Sequence, residues 1–280
     1  MAVKDILLTL TSYPDPTPAS AAVGAIAVAE VLGAHLAAIA CEVHVEIPGH
    51  FMSGSIANIP GIIASEAEKS RRFAKEILAA FDNAANRSGI LHETISERCP
   101  TYAVPDLLTS HARLHDLTIV PVPESYDQWY AESVIFGSGR PTLVLPESTG
   151  HRRPLKFDTL AVAWDSSRAA ARAVSDALPL LEIAGSARIV TVTNEKRLPS
   201  EHSAEALAKN LARHGIKVVL DEVDGHEKEI GEVLAAYTRS HHIDMLVMGA
   251  YGHSRWREFI LGGATKSLLS RPPLPILFSH

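Results

Sequence analysis

The residues best suited to chemistry lie in one stretch, Val247-Met248-Gly249-Ala250-Tyr251-Gly252-His253, continued by Ser254-Arg255-Trp256-Arg257 and, ten residues past Gly252, by Gly262-Gly263-Ala264-Thr265. Glycine costs conformational entropy unless its position needs positive φ or a close backbone approach. Gly249, Gly252, Gly262 and Gly263, clustered at the end of one apolar run, therefore suggest a cradle in which backbone N–H groups at a helix start face an anion such as phosphate. A tight turn with a glycine-rich helix start accounts for the same glycines equally well, and their spacing alone leaves both readings open.

Asp165 ends a second apolar run, Asp158-Thr159-Leu160-Ala161-Val162-Ala163-Trp164, and is followed by Ser166-Ser167. Alone, it reads as a helix N-cap. In an open parallel sheet, however, ligands bind at the carboxyl ends of strands where the strand order reverses. If the strands ending at Asp165 and Gly249 are neighbours, the carboxylate is placed to accept hydrogen bonds from a ribose or base. Backbone N–H groups of Gly252 and of Gly262 to Thr265 then face the phosphates. Gly263 permits close approach there, and the Thr265 hydroxyl is placed to donate to a phosphate oxygen.

The other chemistry-bearing residues form weaker patterns. His111 and His115 stand at i, i+4 on a predicted helix, but no third ligand follows at metal-binding spacing. His44 and His50, beside Glu42 and Glu46, are the better pair, although a solvated loop explains them as well. His241 and His242 read as residues favouring a helix C-terminus, so no metal site is expected. Cys41 and Cys99 are too few for a disulfide scaffold and read as buried apolar thiols. Gly262-Gly263-Ala264-Thr265-Lys266-Ser267 lacks the P-loop spacing, and Lys266 belongs inside a helix. With neither a Mg²⁺-binding carboxylate pair nor an evident base, no catalytic residue is assigned and no efficient hydrolysis is expected.

Composition bounds these readings. The chain has 280 residues, 46% hydrophobic and 21% charged, with a formal net charge of −6, which argues against a general nucleic-acid binder. Residues 1–150 carry 17 acidic and 9 basic side chains and residues 151–280 carry 15 and 17, so the half holding the glycine loop better suits an anionic ligand. There is no apolar run long enough for a membrane span or a signal peptide, which leads to the expectation of a cytoplasmic protein.

The elements that must position these residues recur twice. In the first half, strands are predicted at 5–11, 35–41, 91–97, 117–122 and 142–145, with helices ending near Gly33, over 63–86 and over 103–114. In the second half, strands at 158–164, 187–192, 217–223, 245–248 and 276–279 alternate with helices ending near Gly185 and over 203–214, 228–240 and 264–270. Such alternation predicts a parallel, helix-covered sheet in each half. Asp5-Ile6-Leu7 matches Asp158-Thr159-Leu160, His115-Asp116-Leu117 matches Ile243-Asp244-Met245, and Pro141-Thr142-Leu143 matches Pro275-Ile276-Leu277. Two related domains, 1–150 and 151–280, are expected to meet within 147–154. A long surface excursion is expected over 42–62, either covering a pocket or meeting a partner. The last strand of each half is expected to pair across the two domains, since a sheet edge needs covering.

Gly249-x2-Gly252-x9-Gly262, ending a fourth strand and preceded by Val247-Met248, resembles the ATP-binding signature of universal stress proteins, and the duplication resembles a tandem UspA-like member. The resemblance implies an α/β fold of two tandem Rossmann-like domains, each a five-stranded mostly parallel sheet flanked by helices. It also implies an adenine-nucleotide site. Asp165 would lie near the adenosine, Val190 or Val192 beside the base, Gly249 and Gly252 at the ribose and phosphates, and Gly262, Gly263, Ala264 and Thr265 around the phosphates. The cofactor would be ATP, with or without Mg²⁺, and any ATPase or autophosphorylation activity slow.

Two departures matter. Gly263 stands where the family pattern has Ser or Thr, so Thr265 must substitute for a hydroxyl. In the first half, Pro121 stands opposite Gly249, Glu124 opposite Gly252 and Ser12 opposite Asp165, while Gly137-Ser138 looks like the end of the motif. That half is expected not to bind ATP, since proline lacks an N–H and Glu124 would repel phosphate. Because the repeat lacks those glycines, ligand binding, not folding, is the better explanation for them. The function expected is that of an ATP-binding stress-response sensor or regulator. The alternative is a nucleotide-independent interaction module that takes a protein or hydrophobic ligand through the first half, and a slow ATPase is a third class. Arg255, Trp256 and Arg257 either fold over phosphates or make an interdomain or dimer contact. An unidentified protein partner and a homodimer stay open.

Overall fold

Apolar runs of β-branched and aliphatic residues become strands, and the Ala-rich or amphipathic segments between them become helices that bury one face on the sheet. A computed structural model describes residues 2–44, 59–123, 129–147, 155–193, 203–225, 228–250 and 263–280. The first half runs β1 (Asp5–Leu10), α1 (Ala19–Leu32), β2 (His35–His44), α2 (Ile59–Ser88), β3 (His92–Pro100), α3 (Val104–Ala112), β4 (Leu117–Val122), α4 (Trp129–Gly137) and β5 (Thr142–Pro146). The second runs β6 (Thr159–Ala163), α5 (Arg168–Ile183), β7 (Ser186–Thr193), α6 (Ser203–Arg213), β8 (Val218–Asp224), α7 (Ile230–Ser240), β9 (Met245–Gly249), α8 (Gly263–Ser270) and β10 (Ile276–Ser279).

The strands form one ten-stranded sheet ordered β3-β2-β1-β4-β5-β10-β9-β6-β7-β8. Each half is parallel, and the strand order reverses beside its first strand. The halves join at an antiparallel pair, with Ile276 opposite Val144, Leu277 opposite Leu143 and Phe278 opposite Thr142. The predicted pairing of the last strands is therefore present, and it makes the two five-stranded units one sheet. One face is covered by α1, α2, α5 and α6 over a core including Leu8, Phe81, Val162 and Leu181. On the other, α3, α4, α7 and α8 cover Val120, Ile135, Leu246 and Phe278.

A repeated anchor fixes the true register of the two halves. Asp116 Oδ2 accepts the N–H groups of Lys4 at 2.9 Å and Asp5 at 3.1 Å, and Asp244 Oδ2 accepts those of Asp158 and Thr159, both at 2.9 Å. Lys4 thus corresponds to Asp158 and Asp5 to Thr159. The sequence match of Asp5 with Asp158 was one residue out, and in a strand that flips every side chain to the other face. Leu7 faces the second core and Leu160 the first. It follows that Thr11, not Ser12, stands where the second half has Asp165, and Ser12 corresponds to Ser166.

Three further expectations change. The helix α4 was not foreseen, because its Tyr130, Ala131, Val134 and Ile135 are all buried and mostly aromatic or β-branched, which gives no amphipathic signal. Gly137 closes α4 instead of opening a helix, so Gly137-Ser138 is not the counterpart of Gly262-Gly263. The excursion narrows from both ends, because β2 continues to His44 and α2 begins at Ile59; the rest of it, and the boundary segment 148–154, lie outside the described residues.

Candidate functional site

In the second half the strand order reverses between β6 and β9. These pair in parallel, with Leu160 opposite Met245 and Val162 opposite Val247, so both strands deliver their carboxyl ends to one side of the sheet. Gly249 and the turn holding Asp165 therefore meet there, as the neighbouring-strand condition requires. A Cβ on Gly249 would stand 2.5 Å from the Ala169 carbonyl carbon and 2.6 Å from the Ala170 nitrogen, distances no side chain tolerates. Gly249 is needed so that the first turn of α5 can rest on the end of β9. The first half tolerates Pro121 because α1 begins only at Ala19, nine residues after β1 ends, whereas α5 begins five residues after β6 ends. The inference that the fold has no use for these glycines is thereby corrected at Gly249.

The β6–α5 turn is held by local hydrogen bonds. Asp165 Oδ1 accepts the Ser167 N–H at 2.9 Å, and Ser167 Oγ caps the helix by accepting the Ala170 N–H at 3.0 Å. The helix cap is Ser167, with Asp165 shaping the turn before it. Between them Ser166 takes a left-handed conformation with φ 61°, uncommon for a residue with a side chain. Its hydroxyl bonds that of Ser203, the first residue of α6, at 2.6 Å, and the Trp164 indole N–H donates to the same Ser203 oxygen at 3.1 Å. Sequence reading missed Ser203 and Ser166, although aligning the repeat on Asp116 and Asp244 would have singled out the second.

The remaining predicted residues distribute around this turn. Val190 is buried beneath it in β7, and its carbonyl accepts the Trp164 N–H at 2.9 Å. Val192 lies two residues further along the same strand face, partly buried. Gly263 opens α8, exposed, and among the described residues no atom stands within contact of a Cβ placed there. Ala264 is half-buried, and Thr265 turns inward at 3% exposure. A Cβ on Gly231 of α7 would lie 2.8 Å from Ser267 Cβ and 3.3 Å from the Ala264 carbonyl oxygen, so this glycine lets α8 lie close against α7. Gly252, Gly262 and Arg255 to Arg257 lie outside the described residues.

At the equivalent place in the first half the described polar groups are bonded to one another. Thr11, at the position of Asp165, is bonded into its own loop: its N–H donates to Thr17 Oγ1 at 2.8 Å, and the two hydroxyls lie 2.8 Å apart. Ser12 is buried, bonding Ser70 Oγ of α2 at 2.7 Å and donating to the Cys41 carbonyl. Pro121 lies within β4, and its carbonyl accepts the Tyr130 hydroxyl at 3.1 Å. Glu124 lies outside the described residues.

Among the described residues no group of three or more His, Cys, Asp or Glu side chains is gathered as a metal site. His111 and His115 do not converge: His111 Nε2 faces Glu97 at 3.9 Å, while the buried His115 bonds the His111 carbonyl through Nδ1 at 2.8 Å. His241 stacks on Tyr237 with ring centroids 4.2 Å apart. His44 ends β2, and His50 is outside the described residues. Cys41 and Cys99 are both buried and free. Burial, then the neighbouring Cys99, pushes the Cys41 thiol far up, and burial raises Cys99, so neither is a ready nucleophile. Among the described residues no helix is long and apolar enough to cross a membrane.

The model of the universal stress protein family matches residues 156–280. Universal stress protein Slr1230 of Synechocystis sp. is 33% identical over 90 residues, a stretch that is 32% of this chain and 30% of that protein, so the match spans under a third of the relative's length. A solved universal stress protein from Archaeoglobus fulgidus superposes on 98% of this chain and 97% of its own at a TM-score of 0.69 and 16% identity, a likeness of fold across both halves. A further universal stress protein, solved in complex with cAMP, aligns with 44% of this chain and 97% of its own at 18% identity and a TM-score of 0.33.

Proposed function

We propose, on the premise that residues 156–280 are a universal stress protein domain, that this domain binds an adenine nucleotide, ATP, at the carboxyl ends of β6 and β9. One observation carries the reading: the parallel pairing of β6 with β9 puts the Asp165 turn and the end of the glycine-bearing strand at a single switch point, where open α/β sheets take ligands. A carboxylate is an acceptor with several lone-pair sites, one of which takes the Ser167 N–H, and a ribose or adenine edge supplies donors that match such a group. Val190 or Val192 would line the base, and Gly252, Gly262, Gly263, Ala264 and Thr265 would surround the phosphates at the start of α8. The net positive balance of the second half suits that ligand. Domains 1–150 and 151–280 would divide the work, the first serving as a closed companion. The role is that of a cytoplasmic sensor or regulator in a stress response, with no assigned catalytic residue.

Gly249 is a poor probe of this reading, because any side chain there collides with α5. The test uses Gly252→Val and Gly262→Val in calorimetric titration with ATP. Wild type is expected to bind and each variant to lose at least about tenfold in affinity, the loss of one or two good phosphate hydrogen bonds. Equal binding by all three proteins would sink the assignment. Absence of binding by wild type, with a protein partner retained through purification, would favour an interaction module instead.

A further inference from the structure

We infer that Ser203 is the positioning residue for Asp165, and that through it the start of α6 sets the affinity of the site for the adenosine end of the nucleotide; this rests on the nucleotide-binding reading above. The Ser203 hydroxyl bonds the two residues that flank Asp165, accepting from the Trp164 indole N–H at 3.1 Å and meeting Ser166 Oγ at 2.6 Å. A serine hydroxyl offers one donor and two acceptor sites, so the Ser203 oxygen accepts the indole hydrogen and shares a hydrogen with Ser166, holding both sides of the turn. Ser203 is fixed in its turn by α6, which packs Leu211 into the core. The restraint falls where the backbone is least relaxed, since Ser166 sits at φ 61°. Without the bond to Ser203, a residue with a side chain there would drift toward negative φ and carry the Asp165 carboxylate with it.

The first half shows what is particular to the second. A serine–serine bond also ties the equivalent turn of the first half to its helix, Ser12 with Ser70, although Ser70 sits at a different position along α2 from Ser203 along α6, and Ser12 follows Thr11 instead of an aspartate. Both of those serines are buried, and Ser70 Oγ also accepts the Val43 N–H at 2.9 Å. In that half the pair seals the end of β1 under α2. In the second half Ser166 and Ser203 are only partly buried, and the pair brackets a carboxylate at the edge of the proposed site. One structural device thus serves as a plug in one half and as a positioning clamp in the other.

The full-length protein is titrated by calorimetry with ATP, with adenosine and with inorganic tripolyphosphate, as wild type, Ser203→Ala, Ser203→Thr, Ser166→Ala and Asp165→Asn, with thermal midpoints recorded alongside. Ser203→Ala removes both the Trp164 and the Ser166 bonds and is expected to weaken ATP and adenosine about tenfold, while leaving tripolyphosphate unchanged. Ser203→Thr, which keeps the hydroxyl, is expected to restore both. Ser166→Ala removes the bond between the two hydroxyls alone and is expected to weaken the same two ligands severalfold, less than Ser203→Ala, which keeps the test open should one variant fold poorly. Adding Ser203→Ala to Asp165→Asn is expected to cost nothing more. The inference is overturned if Asp165→Asn loses ATP affinity while Ser203→Ala and Ser166→Ala do not, or if these two lose tripolyphosphate in equal measure. Failure of wild type to bind ATP or adenosine overturns the nucleotide reading itself, and this inference with it.

Discussion

Glu147 follows β5 directly, and its N–H donates to the Val122 carbonyl at 2.9 Å. Burial pushes its carboxyl up to about 7 from an ordinary 4.5. The sign of the consequence follows from proton binding. Between about 4.5 and about 7 the folded protein holds a proton that the unfolded chain has released, so this group's contribution to stability falls as pH rises through that window and is lowest above it. Thermal midpoints at pH 5 and pH 8 are expected to differ less in Glu147→Gln than in wild type, because the amide carries no proton to lose. An unchanged difference would mean that other groups set the pH dependence. Tyr237 is a second acid raised by burial: burial and then Asp221 lift its phenol to about 12, so the hydroxyl stays protonated and donates to Asp221 at 2.7 Å.

Helices hold the site by how closely they approach one another and the sheet. Arg188 of β7 grips Asp221 of β8 through two bonds of 2.9 and 3.0 Å and also donates to the Tyr237 hydroxyl at 2.9 Å, which ties α7 to both strands. With α7 held, the position of α8 depends on Gly231. Gly231→Ala puts a methyl group 2.8 Å from Ser267 and 3.3 Å from the Ala264 carbonyl, so α8 must move outward. The expected cost is about 1–3 kcal/mol of overpacking, read as a lower thermal midpoint. A several-fold weaker ATP titration should accompany it, since Gly263 to Thr265 move with the helix. A midpoint within a degree of wild type would show that the helices yield without strain, an outcome contrary to the geometry.

At the scale of the whole molecule, the antiparallel seam between β5 and β10 does two things. It removes two open sheet edges, and it leaves β3 and β8 as the outer strands of the described sheet. The seam is tightened from the second half by Arg172 of α5, which donates to the Gly139 carbonyl at 2.8 Å, and by His280, whose ring meets Phe136 edge-on at 5.2 Å. A fragment comprising residues 155–280 exposes the whole β10 edge, with Ile276 and Phe278 stripped of their first-half neighbours. Size-exclusion chromatography with light scattering is expected to show that fragment self-associating through β10. A strictly monomeric fragment would mean that the edge is protected by its own half.

The order of strands and helices was legible in the sequence because apolar runs, Ala-rich segments and capping glycines such as Gly33 and Gly215 act locally. The asymmetry of the halves was legible too, since Pro121 cannot do what a glycine does. The α4 helix was not, because within Trp129–Gly137 only Glu132 and Ser133 are polar, too few to mark an outer face. Nor was the register of the repeat: side-chain similarity at Asp5 and Asp158 outweighed the backbone position, which only the paired anchors at Asp116 and Asp244 fix. The sequence by itself determined that a glycine-rich loop, an aspartate and a duplicated α/β unit occur in one chain. Tertiary structure decided what each contributes. Gly249 answers to the backbone of α5 and Gly231 to that of α8, and Asp165 depends on Ser203, some forty residues away, because all three are matters of distance between elements that are remote along the chain.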